Sequence, residues 1–150
     1  MPARTLRSLP PEAAALALPA LRELRPESPH TASPEALQAF LALTQPEGYR
    51  LVGAFEADQP AAVAVAGYRV MHLLYAGRTL YVDDLVTRPE ARGRGHAGAL
   101  LAWLEGEARN LNCTEFHLDS GVGPARYGAH RLYLNAGLNL TAHHFAKELP

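Results

Sequence analysis

The chain has little cysteine, no long apolar stretch and no excess of charge of either sign. Its single cysteine, Cys113, excludes an intrachain disulfide and a zinc site built from several cysteines. The longest apolar run, residues 61–67, is far too short to cross a bilayer, which needs about 20 residues. Fourteen basic and fifteen acidic side chains give a net charge of −1, which predicts neither a nucleic-acid partner nor a membrane partner.

What remains is the composition of an ordinary globular domain. The 150 residues are 48% hydrophobic and 19% charged, enough to bury a core without help. We therefore predict one domain over residues 1–150. Residues 4–20 weakly resemble a signal peptide, but Pro10, Pro11 and Glu12 interrupt the pattern and suit the start of a helix. The predicted location is cytoplasmic.

The hydrophobic pattern predicts an antiparallel part followed by one crossover. Strands are expected at residues 3–8, 49–56, 61–74, 79–87, 115–119 and 140–149. Helices are expected at residues 11–25, after Ser33 as N-cap, and at 97–111, where apolar residues recur on one face. A last short helix, with Ala125, Ala129, Leu132, Tyr133 and Ala136 as its buried stripe, is expected to end at Gly137.

This order of elements defines the predicted fold class. A strand, a long helix and another strand form a right-handed crossover to a parallel neighbour. The prediction is an α+β fold with a mixed, mostly antiparallel central sheet, one parallel crossover and flanking helices.

The clearest chemical signal is a glycine-rich turn before the 97–111 helix. It reads Arg92-Gly93-Arg94-Gly95-His96-Ala97-Gly98. Glycines let a ligand approach the backbone, and the unpaired amides of a first helical turn bind anions. The two arginines add charges suited to phosphate. We interpret the turn as a pyrophosphate site.

A dinucleotide site is one interpretation of this turn. Gly93, Gly95 and Gly98 spell G-x-G-x-x-G, and Asp119 follows about twenty residues later, where a ribose-binding acid would lie. Against this, residues 87–92 separate the strand from the first glycine. Only 31 residues follow Asp119, too few for the rest of a doubly wound sheet.

A second interpretation rests on three segments in register. The turn fits R/Q-x-x-G-x-G/A, and Leu85-Val86-Thr87-Arg88-Pro89-Glu90 precedes it. Residues 129–138 follow the pattern A-x-x-x-Y-x-x-x-G-F, with Leu138 in place of the final Phe. Together they resemble the Gcn5-related N-acetyltransferase (GNAT) family from residue 79 to the C-terminus, and before residue 79 only the element order resembles it.

The resemblance implies transfer of an acetyl group from acetyl-CoA to an amine. The turn would then hold the CoA pyrophosphate. Its residues are Arg92, Gly93, Arg94, Gly95, His96, Ala97 and Gly98. The strand residues Leu85, Val86 and Thr87 would pair with the amide-bearing pantetheine arm as a peptide pairs with a sheet edge. The family's sheet splays between this strand and the next, which makes the cleft where the thioester would lie, and Ser120 and Asp119 would border that cleft. Arg126 stands where the family often has Asn, which adds a positive charge that could meet a CoA phosphate or an acidic acceptor.

The resemblance also proposes catalytic residues. Tyr133 matches the family tyrosine that faces the CoA sulfur, and an ordinary tyrosine pKa near 10 keeps it able to donate at neutral pH. Asp83 and Asp84 are the candidates for the base or for a clamp on a cationic substrate, with Asp84 preferred and water-mediated deprotonation left open. As neighbours in a strand they are expected to point to opposite faces.

Several alternatives stay open at this stage. The preferred acceptor is a primary amine of a small molecule; a protein or peptide amine and a non-catalytic acyl-CoA-binding module are the alternatives. The seven histidines lack the spacing of a metal site, so no metal is expected. The sequence leaves both a monomer and a homodimer possible.

Overall fold

A computed structural model describes residues 3–150. Its strands are β1 (Arg4–Leu9), β2 (Arg50–Glu56), β3 (Ala64–Leu73), β4 (Gly77–Thr87) and β5 (Glu115–Leu118). Its α-helices are α1 (Ala14–Leu24), α2 (Pro34–Thr44), α3 (His96–Asn110) and α4 (Tyr127–Asn135). Short 3-10 turns cover Pro11–Ala13, Pro29–Thr31, Gln45–Glu47, Pro89–Ala91 and Pro124–Arg126. The chain forms two compact units, the first ending at Leu118 and the second beginning at Asp119.

The first unit contains one sheet in the order β1-β2-β3-β4-β5. The first three pairings are antiparallel, and β4 pairs with β5 in parallel across α3. This confirms the predicted α+β fold with a single parallel crossover. A doubly wound parallel sheet, which the dinucleotide interpretation requires, is not what this chain forms.

The two faces of the sheet are covered by different helices. One core joins α1 and α2 to the sheet through residues such as Leu18, Leu41 and Leu51. The other joins α3 to the opposite face through Leu100 and Leu104. These five leucines are at most 5% exposed, so each face is closed by an amphipathic helix stripe.

Most of the helices and strands predicted for the first unit are present in the structure, with shifted bounds in two strands. Ser33 Oγ accepts the backbone N–H of Ala36 at 3.1 Å, which confirms the predicted cap of α2. The β3 strand begins at Ala64 rather than at residue 61, because the Ala62 amide donates to Leu16 in α1 instead of to the sheet. Similarly, β4 begins at Gly77, two residues before the predicted start at residue 79.

The second unit differs more from the prediction. Gly137, at φ +93°, ends α4 as expected. Ala129, Leu132 and Tyr133 are half-buried, but Ala125 and Ala136 are exposed because both lie outside the helix. No residue of α4 is fully buried, so the predicted buried stripe is only partial.

The predicted strand at residues 140–149 was wrong. The structure gives residues 138–150 no helix or strand, and Leu140, Phe145 and Leu149 are 80% exposed or more. The physical reason is the pattern of apolar residues, because Leu140 and Phe145 fall on opposite faces of an extended chain. Neither face therefore carries a continuous apolar stripe. Within residues 3–150, no helix is long and apolar enough to cross a membrane.

Candidate active site

The glycine-rich turn has the backbone geometry of an anion site. Gly93 and Gly95 have φ values of +77° and +80°, in the left-handed region that favours glycine. Gly95 is the N-cap of α3 and has no side chain to cap the helix. The backbone N–H groups of the first turn of α3 therefore have no side-chain cap, and they lie at the positive end of a 15-residue helix.

The two arginines of the turn have different environments. Arg92 is 61% exposed, with the Thr87 carbonyl 3.3 Å from its Nε and Glu23 3.9 Å away. Arg94 Nη1 instead donates to both carboxylate oxygens of Glu56, at 2.7 and 2.9 Å. The hydrogen bond from Arg94 lowers the pKa of the Glu56 carboxyl, against the effect of burial. The sequence predicts the same phosphate-binding role for both arginines. In the structure, Arg94 is bound to Glu56 and Arg92 is exposed.

The strand that precedes the turn has one open edge. On one side, β4 pairs with β3 as far as Thr87. On the other side, pairing with β5 ends at Val82. Among the pairings of the first unit, the β5-side edge of residues 83–87 has no strand partner, and it contains the predicted Leu85, Val86 and Thr87. An unpaired strand edge can bind an extended, amide-bearing chain by backbone hydrogen bonds.

A β-bulge at Asp83 changes which way the two candidate carboxylates point. Gly67 pairs with Asp84 and Tyr68 with Val82, so Asp83 is the extra residue. Val82 lies in the α3-side core, whereas Val86 lies in the α1/α2-side core. The bulge thus shifts the alternation, and both carboxylates contact groups of the α1/α2 side. The prediction that they point to opposite faces was wrong, because it assumed a regular strand.

Asp84 has two side-chain partners. Tyr49 Oη donates to Asp84 Oδ2 at 2.6 Å, and Arg25 Nε donates to Oδ1 at 3.0 Å. Tyr49 is 8% exposed, and burial, followed by the Asp84 charge, raises the pKa of its hydroxyl well above 10.0. It therefore remains a donor at any physiological pH. The Arg25 side chain is 51% exposed, whereas that of Asp84 is 16% exposed.

Asp83 is held differently. Arg69 Nε lies 3.1 Å from each of its carboxylate oxygens, and Arg69 Nη2 lies 2.8 Å from Oδ2. Arg69 also contacts Glu47 at 3.2 Å. Burial raises the pKa of the Asp83 carboxyl, although Arg69 acts in the opposite direction. Asp83 is therefore part of a fixed ion-pair network, and Asp84 is the carboxylate with the more accessible partner.

Sequence reasoning missed Arg25, Tyr49, Glu56 and Arg69. They lie in α1, β2 and β3 or beside them, where the chain carries no recognisable motif. A buried acid at the end of an apolar strand was a usable signal for Glu56, because such a group needs a cationic partner. Arg25 and Tyr49 could not be found, since their importance depends on the bulge.

The second unit carries Ser120, Arg126 and Tyr133. Burial raises the pKa of the Tyr133 hydroxyl above 10.0, opposed by the charge of Arg126. The Ser120 hydroxyl lies 3.1 Å from His130 Nε2, which is also 2.7 Å from the Gly121 carbonyl. Their roles toward a ligand remain predictions from the sequence pattern.

Gly67 makes the contact between Tyr49 and Asp84 possible. A Cβ at Gly67 would overlap the Tyr49 hydroxyl and lie 2.6 Å from its Cζ. We expect Gly67→Ala to lower the free energy of unfolding by about 1–3 kcal/mol, as overpacked core sites do. Urea denaturation measures this change.

Gly106→Ala is the matched control for this substitution. Its Cβ would meet nothing within 4 Å, and Gly106 lies inside α3. We expect that variant to be as stable as the parent or up to about 1 kcal/mol more stable. Equal stability of the two variants would show that Tyr49 does not occupy the space above Gly67.

The comparisons with known proteins agree with this geometry. The sequence pattern of the Acetyltransferase (GNAT) family matches residues 15–138. The chain belongs to the GNAT family of N-acetyltransferases and is, as predicted, an acyl-CoA-dependent N-acyltransferase by family.

Three similar proteins illustrate the match. An aminoalkylphosphonate N-acetyltransferase from Salmonella typhimurium is 35% identical over 78 residues, 52% of this chain and 49% of that protein. The match thus spans about half the length of that relative. An uncharacterised N-acetyltransferase from Bacillus subtilis is 31% identical over 112 residues, 74% of this chain and 76% of that protein. The structure of an aminoglycoside N-acetyltransferase in complex with CoA has a TM-score of 0.80 at 16% identity, covering 99% of this chain and 96% of that one.

Proposed function

We propose that the protein transfers an acetyl group from acetyl-CoA to a primary amine of a small, cationic molecule. The observation that carries this proposal is Asp84, a half-buried carboxylate beside the open edge of β4 and paired with an exposed arginine. The turn at Gly93 and Gly95 suits the cofactor, because a pyrophosphate needs close backbone approach and unpaired amides.

Acetyl-CoA supplies the acetyl group as a thioester. Backbone groups of Leu85, Val86 and Thr87 would bind the pantetheine arm, and a strand amide would polarise the thioester carbonyl. The turn would hold the pyrophosphate. All three functions use this chain's backbone and need no side chain to move.

Asp84 would hold the acceptor amine. The guanidinium of Arg25 now donates to Asp84 Oδ1, and a substrate ammonium is a chemically equivalent partner. Replacing a half-exposed arginine costs little, because exposed ion pairs contribute about 0–1 kcal/mol. Tyr49 would keep the carboxylate oriented, since its hydroxyl stays protonated.

Tyr133 would act as the general acid. The bound ammonium first loses one proton to water or a carboxylate, so that a neutral amine attacks the thioester. As the new C–N bond forms, the C–S bond breaks, the nitrogen loses its second proton to water, and Tyr133 Oη protonates the sulfur and regains a proton from solvent. The raised pKa of Tyr133 keeps its hydroxyl protonated throughout the neutral range. Its assignment rests on the A-x-x-x-Y pattern of residues 129–133.

A thiol-release assay tests this function. Purified protein is incubated with acetyl-CoA and one class of acceptor at a time. The acceptors are polyamines, amino sugars, aminoalkylphosphonates and a lysine-containing peptide. We expect saturable CoA release with at least one small cationic amine and slower release with the peptide. Binding of acetyl-CoA with no release in any arm would favour the non-catalytic acyl-CoA-binding module instead.

A further inference from the structure

A buried carboxylate lies next to the glycine-rich turn. Glu56 ends β2, is 4% exposed, and pairs across the sheet with Arg4 of β1. Both of its oxygens accept from Arg94 Nη1, and Oε2 lies 3.2 Å from His96 Nε2. A buried carboxylate is costly unless cations and donors surround it, so this arrangement satisfies a real energetic demand.

The hydrogen bonds of His96 indicate which of its ring nitrogens accepts and which donates. Arg4 Nε donates to His96 Nδ1 at 3.0 Å, and a guanidinium nitrogen can only donate. Nδ1 is therefore the acceptor nitrogen, and the ring proton lies on Nε2, directed at Glu56. His96 is 3% exposed and bridges Arg4 and Glu56 through its two ring nitrogens.

The network fixes the turn at three points. Glu56 holds the Arg94 side chain, Arg4 Nη2 donates to the Arg94 carbonyl at 2.7 Å, and His96 anchors the first residue of α3. Each point lies on or next to Gly95, within the predicted pyrophosphate turn. Strands β1 and β2 thereby hold a turn whose Arg94 lies 90 residues after Arg4 and 38 residues after Glu56 in the sequence.

We propose that Glu56 is a positioning residue for the pyrophosphate turn, acting through Arg94 and His96. The inference rests on the proposed use of acetyl-CoA. It assigns the Arg94 side chain to the protein scaffold and leaves its backbone to the ligand. Arg92, 61% exposed, is then the side-chain cation of the turn that is available to phosphate.

The first test is Glu56→Gln, with Glu105→Gln as the matched control. Among residues 3–150, the side-chain partner of Glu105 is Arg109, in a surface ion pair on α3, so Glu105→Gln makes the same chemical change away from the turn. We expect Glu56→Gln to raise the KM for acetyl-CoA, and the calorimetric Kd for CoA, by about tenfold. The KM for the amine and kcat at saturating acetyl-CoA should stay within about twofold of the parent.

A double substitution distinguishes a scaffold role of Arg94 from direct contact between Arg94 and phosphate. If Arg94 acts only through Glu56, adding Arg94→Met to Glu56→Gln leaves the Kd for CoA at the single-variant value. A further loss of about tenfold in the double variant would show that Arg94 binds phosphate itself, which overturns the assignment.

Two histidine variants keep the test valid if Glu56→Gln does not fold. The glutamine amide of His96→Gln reaches the Nε2 position and keeps a donor toward Glu56. The shorter asparagine of His96→Asn places its amide oxygen at the Nδ1 position, where it can accept from Arg4, and has no group at the Nε2 position. We expect the Kd for CoA to rise more in His96→Asn than in His96→Gln. Equal Kd values in all variants, with only a lowered melting temperature, would make the network merely structural. Failure of the parent protein to bind CoA would overturn the proposed function as well.

Discussion

Tyr133→Phe is expected to lower kcat about 100-fold while leaving the Kd for acetyl-CoA unchanged. The substitution removes only the hydroxyl, and general acid catalysis by a positioned group typically contributes about 10²–10⁴ in rate. The pH profile gives a second readout. Activity that depends on protonated Tyr133 is present below its pKa and lost as the pH rises through it, above 10.0.

Tyr127→Phe is the matched control for this prediction. Tyr127 is the first residue of the same helix, and half of its surface is exposed. We expect its kinetic constants to equal those of the parent. A Tyr133→Phe variant with unchanged kcat would remove Tyr133 from the mechanism and leave thiolate departure without a protein acid.

Asp84→Asn should cause a comparable loss on the acceptor side. Asparagine preserves the shape and can still accept from Tyr49, but it cannot pair with an ammonium group. A charge-assisted hydrogen bond contributes roughly 1.5–3 kcal/mol, so kcat/KM for the amine should fall about 10- to 100-fold. The Kd for acetyl-CoA should not change.

Asp83→Asn is the matched control for Asp84→Asn. It makes the same change one residue away, in a carboxylate that Arg69 already holds. We expect it to lower the melting temperature and to leave kcat/KM for the amine nearly unchanged. The reverse outcome, with activity lost in Asp83→Asn and kept in Asp84→Asn, would transfer the acceptor role to Asp83.

Much of the fold was predictable because its signals are local. The cap at Ser33, the apolar stripe of α3 and the left-handed Gly137 each depend on a few neighbouring residues, and all three were found. The predicted last strand was wrong because the apolar residues at 140–149 suggested a strand, although Leu140 and Phe145 would lie on opposite faces of it and both are exposed.

The candidate site was predictable only where it is continuous in sequence. The turn at Gly93 and Gly95 lies within one motif, so its backbone geometry followed from its glycines. The bulge at Asp83 did not, because it is set by register with β3. The pairing of Glu56 with Arg94 crosses 38 positions and depends on strand order, so no local pattern reveals it.

The most direct measurement is calorimetric titration with acetyl-CoA, CoA and NAD, using the parent, Gly95→Glu and Gly106→Glu. At Gly95, φ is +80° and a Cβ would lie 3.3 Å from Arg4 Nη2, so a side chain is strained there and its carboxylate would oppose phosphate. We predict that acetyl-CoA binds to the parent and to Gly106→Glu but not to Gly95→Glu, and that NAD binds to none of the three proteins. Binding of NAD without a response to either CoA species, or equal acetyl-CoA binding in all three proteins, would contradict this prediction.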